Sequence, residues 1–429
     1  MNETTIQLAK VLKYSIIKNI SIFTRLPFNM KNLILELVTI ISGIVAAGYF
    51  LEKFAPLCET NHCFQWALIL AIFVAAMVTM YRIKRKTYCR PEGIAELEGP
   101  LPLNSRFYIE RPPVEAECYE AISRPNALIR IRSPRQMGKS SLLIRIIAHA
   151  KGQGCRTVFL SLREADEMAF ANLDKFLQWF CISVTQKLGL PNDDVIKHWN
   201  NFLDSKVNAS KYFQEYLLTE SQPLVLGLDD LDLIFQYHDH IAKDFFGLLQ
   251  TWHEQGVNDE LWQKLRLVIT HATEVPIPFH FDLNVGKPLE LADFNPQQVQ
   301  KLVQQYRFKW TATEVQDLMT MIGGHPYLIR LAFYKIVIRQ TTLAKLLQNA
   351  GTNAGLFYKH LHHHLLALQN ANLLTMMQQV AIANKPIKID DTIAFKLYSM
   401  GLVELQDDTV IPRCDMYRLY FANLVDKHL

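Results

Sequence analysis

The chain has 429 residues, of which 50% are hydrophobic and 20% charged, with a formal net charge of +4. Such a composition excludes a disordered tail, a collagen-like repeat and a small disulfide scaffold, and the length predicts two to four folded units. The charge is uneven: residues 1–90 hold 11 Lys/Arg against 4 Asp/Glu, and the remainder holds 34 against 37.

Two apolar runs stand out in the basic N-terminal part. Residues 33–51 carry one charge, Glu36, and residues 64–81 carry none. At helical rise each is roughly 27–29 Å long, the thickness of a bilayer's hydrocarbon layer. Lys10, Lys13, Lys18, Arg25 and Lys31 precede the first run, and Arg82, Lys84, Arg85, Lys86 and Arg90 follow the second. The short connection between them carries only Lys53 as a base. The positive-inside rule then predicts a two-span membrane hairpin with both termini cytoplasmic and a short loop outside. Ala67, Ala71 and Ala75, and Gly43 with Ala47, recur every four residues. Those small-residue faces fit packing within the hairpin or an oligomeric seam. The arm before them, residues 1–32, is basic and amphipathic, suited to a lipid surface or to a structured cytoplasmic segment. Cys58 and Cys63 fall in the expected outer loop, where a disulfide is open to them; the other five cysteines read as ordinary thiols.

After a basic linker, residues 82–106, strand and helix patterns alternate. ALIRIR (127–132) reads as a strand and SLLIRIIAHA (141–150) as a helix. Between them stands Ser133-Pro134-Arg135-Gln136-Met137-Gly138-Lys139-Ser140, continuing into Ser141. A strand, a Gly-Lys-Ser loop and a helix start together form a phosphate cradle: backbone N–H groups face the anion, Lys139 reaches the terminal phosphates and Ser140 offers its hydroxyl to Mg²⁺. Ser133 stands where that motif has its first glycine.

PLVLGLDDLD (223–232) reads as a buried parallel strand with an acidic tip. Asp229 is the expected second Mg²⁺ ligand, and Asp230 the residue that orients or deprotonates an attacking water. RTVFLSL (156–162), LRLVITH (265–271) and an edge at 287–291 complete the sheet. Thr270, His271 and Thr273 are candidate γ-phosphate sensors; Arg266, Arg307 and Arg330 are each open as an arginine finger. Residues 295–346 are helical by period and contain Gly323-Gly324-His325-Pro326, a helix end and restart. The tail, 371–429, reads as helices around a hairpin, VELQDDTVI, turning at Asp407-Asp408.

FYIERPPVEAECY, SPRQMGKSSL, LVLGLDDLD, KLRLVITHATE, NVGKPLEL, GGHPYLIRLA and AFKLYSMGLVELQDDTVIPRCDMYRLYF follow one another in order. Together they resemble the AAA-like domain ATPases of cyanobacterial type, close to the STAND P-loop NTPases. The likeness spans 104–423. It implies an α/β P-loop core (107–292), a helical lid (293–365) and a winged helix (366–429). ATP and Mg²⁺ are the implied cofactors, with Tyr108 and Arg111 packing by the base and Gly324, His325 and Pro326 contacting nucleotide from the lid. Relatives commonly carry Ala or Gly at the position of Ser133 and Glu at that of Asp230.

The functional expectation is a membrane-anchored ATP-driven signalling switch that forms homo-oligomers and acts on a partner protein not named by the sequence. A nucleic-acid-associated ATPase and a defence-type effector oligomerising through the hairpin are the alternatives. Basic residues are sparse in the tail, so a nucleic-acid surface is not announced.

Overall fold

The computed structural model describes residues 99–191, 193–275, 286–383 and 385–424. The expected arm, both apolar runs, most of the basic linker and the Cys58–Cys63 pair lie outside the described residues. Among the described residues no helix is long and apolar enough to cross a membrane.

Five strands form one parallel sheet: β1 (Leu128–Ser133), β2 (Arg156–Ser161), β3 (Leu224–Asp229), β4 (Leu265–Ala272) and β5 (Lys287–Glu290). Their order is β2-β3-β4-β1-β5, with every neighbouring pair parallel. Each strand is therefore reached by a crossover, and helices cover both faces. The period of two is visible in the packing. Ile129, Ile131, Val225 and Val268 face the helices Val114–Ser123 and Lys139–Gly152. Leu226, Leu228, Leu267 and Ile269 face the helices Leu173–Lys187 and Asp239–Gln255, whose Phe176, Phe180, Phe245 and Trp252 fill that side.

A second body of helices follows β5: Pro296–Gln305, Ala312–Ile322, Pro326–Val337, Leu343–Asn349, Tyr358–Asn370 and Leu374–Ile382. Then come the helix Asp391–Ser399, the antiparallel pair β6 (Val403–Gln406) and β7 (Thr409–Pro412), and a last helix, Asp415–Ala422. Asp407 makes the hairpin turn with a φ of 50°. One apolar core runs through all of these, from Phe294 and Leu302 to Met416 and Phe421, and it takes in Leu101, Phe107 and Ile109 from before the sheet. The helix Tyr358–Asn370 crosses residue 365, where the expected lid would end. That helix buries Leu361 and Leu368, and both belong to the one apolar core shared by the helices before and after it.

The four described cysteines, Cys118, Cys155, Cys181 and Cys414, are buried and unpaired as disulfides, in line with ordinary core thiols.

Candidate functional site

Parallel strands put their C-terminal ends on one edge, and helix N-termini face that edge. Here the edge carries Ser133, Ser161 and Asp229 at successive strand tips, with Ser161 in register with Asp229 and Ser133 with Ala272. Ser133 is fully buried and extended in β1, so a β-carbon is accommodated at the place of the usual glycine. The left-handed turns fall instead on Gln136, φ 64°, and on Gly138, φ 98°. Gly138 caps the helix Lys139–Gly152, and a β-carbon there would stand 2.9 Å from the Arg111 guanidinium. Only glycine suits both demands.

Lys139 folds back across the loop, donating to the carbonyls of Ser133 at 2.9 Å and Pro134 at 2.8 Å. Burial lowers it to about 8, against the pull of Asp232, Glu274, Asp229 and Asp230. The Asp229 carboxylate accepts from the Thr270 hydroxyl, and the Ser140 hydroxyl lies beside it. Burial raises its proton affinity and those two hydroxyls lower it. Ser140 and Asp229 thus present two hard oxygens side by side, the donor type that Mg²⁺ takes.

Asp230 has a left-handed φ of 60°, and its carboxylate is already engaged. Ser161 donates to Oδ2 at 3.0 Å, and Arg163 binds with a fork, Nε to Oδ2 at 2.8 Å and Nη2 to Oδ1 at 3.1 Å. Neither partner was visible from motif spacing. A strand end in register with Asp229, as Ser161 is, would be the signal to look for.

Arg135, in the middle of the loop, is clamped outward. Its amide donates to Glu274 at 2.9 Å, and its guanidinium reaches Glu274 at 3.3 Å, Asp232 at 3.6 Å and Gln236 at 3.2 Å. Asp232 also accepts from the Ala272 amide at 2.9 Å, tying the acidic loop to β4.

From the N-terminal motif, Arg111 reaches the loop directly, donating to the Met137 carbonyl at 2.8 Å. Tyr108 stands one layer back. Its hydroxyl donates to Glu115 at 2.8 Å under the Arg145 guanidinium, 3.5 Å from the ring centre, and burial beside Glu115 raises its pKa. Ser141 is turned away, accepting from the Leu101 amide at 2.9 Å. In the lid motif, Gly324 sits against Phe294, whose amide donates to the Gly324 carbonyl at 2.8 Å. His325 lies beside the Arg135 backbone of the loop, its Nδ1 buried without a hydrogen bond, and Pro326 opens the next helix.

Thr270, His271 and Thr273 diverge. Thr270 serves Asp229 as described. His271, lowered to about 3 by burial and then by Lys139, Arg130 and Arg132, stays neutral beside the loop. Thr273 donates to the Ser399 carbonyl at 2.7 Å. None of the three open arginines reaches the loop. Arg266 begins β4 at the opposite end of the sheet and donates to the Ile122 carbonyl at 2.9 Å. Arg330 lies beside Tyr306, and Arg307 follows a helix end with a φ of 59°.

The C-terminal unit touches the loop itself. The place of a Gly401 β-carbon lies 2.9 Å from the Pro134 ring and 3.1 Å from Arg413, which pairs with Asp293 at 2.8 Å. Tyr398 donates to Glu290, at the end of β5, at 3.1 Å.

A parallel sheet with a Gly-Lys-Ser loop after β1, and an acid-tipped strand two places along, defines a P-loop ATPase fold. The AAA-like domain family matches residues 96–423, and the chain belongs to it. No curated protein matches the chain. Among solved structures, a Walker-type ATPase of Pyrococcus abyssi aligns with a TM-score of 0.54 at 11% identity, over 76% of this chain and 99% of that one. The ORC2 protein of Aeropyrum pernix, in ADPNP–ADP complexes, aligns at 0.47 and 15% identity over 78% and 97%. A STAND protein with a tetratricopeptide repeat sensor from Pyrococcus horikoshii aligns at 0.35 and 14% over 77% and 44%. The first shares the fold.

Proposed function

We propose that the chain is an ATP-binding switch, slow in hydrolysis, in which the nucleotide at the loop governs how the C-terminal unit packs. The observation that carries this reading is the direct seating of that unit on the phosphate loop through Gly401 against Pro134, with His325 beside Arg135. Lys139 donates to the Ser133 and Pro134 carbonyls with two of its three N–H donors, the third being left for a phosphate, and those two residues adjoin the seat.

Ser133 to Ser140 and Arg111 would hold ATP, and Ser140 with Asp229 would hold Mg²⁺. Bound there, Mg²⁺ neutralises charge on the phosphate oxygens. Lys139 supplies the matching cation, Thr270 keeps Asp229 oriented, and Asp230 accepts a proton from water once Arg163 lets it go. Its short side chain and its occupied carboxylate both support slow turnover.

The three helices and the hairpin between 374 and 422, within the expected 366–429, we read as the winged helix, serving as the moving part. The apolar runs 33–51 and 64–81 we read as a two-span anchor in a bacterial inner membrane, with lipid, a second copy of the chain and a signalling protein as partners. ATP binding by the full chain, compared with Lys139→Ala, tests the nucleotide site. Loss of one charge-assisted contact predicts a fall of about 10–100-fold in affinity. Equal affinity in both proteins would remove the site from the loop. For the anchor, fractionation and thiol labelling of Cys58 and Cys63 from outside are expected to mark a membrane protein with that loop exposed; recovery in the soluble fraction would refute it.

A further inference from the structure

The helix Tyr358–Asn370 carries four histidines within five positions, His360, His362, His363 and His364. Helical spacing puts His360 and His364 on one face, and His364 is only 4% exposed, while His363 is exposed. His325 meets His360 edge-on at 5.4 Å between ring centres, and His360 meets His364 at 4.6 Å. Tyr417 of the last helix closes the row: its hydroxyl shares a hydrogen bond of 2.8 Å with His360 Nε2, and its ring lies 5.8 Å from that of His364. At the other end His325 lies beside the Arg135 backbone, its Nδ1 buried without a hydrogen bond. Phosphate loop, lid helix, connecting helix and last helix therefore meet at one line of three imidazoles.

The surroundings of the row are cationic or neutral. Arg413 faces His325, Arg135 and His363 face His364, and His363 also faces His360. From the last helix come Tyr417 and, just before it, Cys414. Of the nearby carboxylates, Asp293 pairs through Oδ2 with Arg413 at 2.8 Å, its Oδ1 making no hydrogen bond, and Glu274 pairs with Arg135 at 3.3 Å. Among the described residues no carboxylate hydrogen-bonds any of the three rings. A proton on one of them would sit in a dry place beside a guanidinium or another imidazole. Burial first, then Arg413 and His364, brings His325 down to about 3, and burial keeps His360 and His364 well below their usual range.

We propose that the row is an acid-sensitive latch: the C-terminal unit stays seated on the phosphate loop only while His325, His360 and His364 are neutral, and protonation unseats it. In the unseated state the rings meet water and titrate near about 6.5. The seated state is therefore fully favoured above that pH and weakens as pH falls below it, each ring contributing about a tenfold change per pH unit. The latch holds whether or not the loop hydrolyses ATP.

Hydrogen exchange of the full chain in a neutral detergent, corrected for intrinsic rates, reads the opening of 358–370 and 415–422. Between about pH 7.5 and about pH 5.5, each ring multiplies the opening constant roughly tenfold, so the wild type rises about a thousandfold. His364→Phe is expected to rise only about a hundredfold, and the exposed control His363→Gln to match the wild type. Should His364→Phe fail to fold, His360→Phe carries the same expectation. A wild-type rise below about threefold overturns the latch, as does a His364→Phe or His360→Phe response equal to the wild type. Parallel loss of protection in β1 and β3 would mean whole-domain unfolding and would overturn it as well.

Discussion

Arg163 grips Asp230 at both carboxylate oxygens, at 2.8 and 3.1 Å, across the gap between the end of β2 and the end of β3. The fork uses the lone pairs with which Asp230 would take a proton from water. Arg163 is itself 65% exposed, so solvent weakens the pair and a modest change can release it.

Arg163→Ala is therefore expected to raise steady-state phosphate release, by about fivefold for the loss of a partly exposed fork. Asp230→Asn should lower it by roughly a hundredfold or more while ATP affinity stays within about threefold. Phosphate release by both variants at saturating ATP decides the matter. Unchanged rates in both would remove Asp230 from the reaction.

Gly324 is predicted to tolerate no side chain. A β-carbon there would stand 2.1 Å from the Phe294 carbonyl oxygen, and backbone cannot yield as a side chain would. Gly324→Ala should cost about 1–3 kcal/mol, the usual range for overpacking. Thermal unfolding is expected several degrees lower, and an unchanged Tm would show that the hinge is softer than its packing.

Arg413→Ala removes the partner of Asp293, whose Oδ1 is buried without a hydrogen bond. Both side chains are about a fifth exposed, 19% and 22%, which discounts the loss to roughly 1–3 kcal/mol. Exchange of 415–422 should then rise by about 5–150-fold, with β3 unaffected. Thr273→Val, which deletes the bond to the Ser399 carbonyl, should act in the same direction at about 0.5–1.5 kcal/mol. Unaltered exchange in both variants would show that these contacts do not hold the unit in place.

The sheet was readable from the residues because buried parallel strands are short apolar runs with chemistry at their tips. PLVLGLDDLD reads as a buried strand from 223, and the strand spans Leu224–Asp229. Gly138-Lys139-Ser140 sits in its expected strand–loop–helix setting, and Asp407 turns the late hairpin. Arg163 was not readable. It is exposed, belongs to no motif, and meets Asp230 only because β2 lies next to β3. Arg266 was open as a finger candidate from the sequence, but it lies at the start of a parallel strand, which is the far end of the sheet. The shared core of lid and tail was hidden for a different reason. Periodicity marks the buried face of the helix Tyr358–Asn370 but says nothing of which neighbour covers it. The same holds for its histidines, which look like a solvated polar stretch until packing turns two of them inward.

Hydrogen exchange across 398–413, measured on the full chain with and without Mg²⁺–ATP, bears most directly on the coupling of loop and C-terminal unit. We expect ATP to change exchange there severalfold in the wild type and to leave Lys139→Ala unchanged at the same concentration. Wild-type protein that binds ATP yet shows the same exchange across 398–413 in both conditions would contradict the switch.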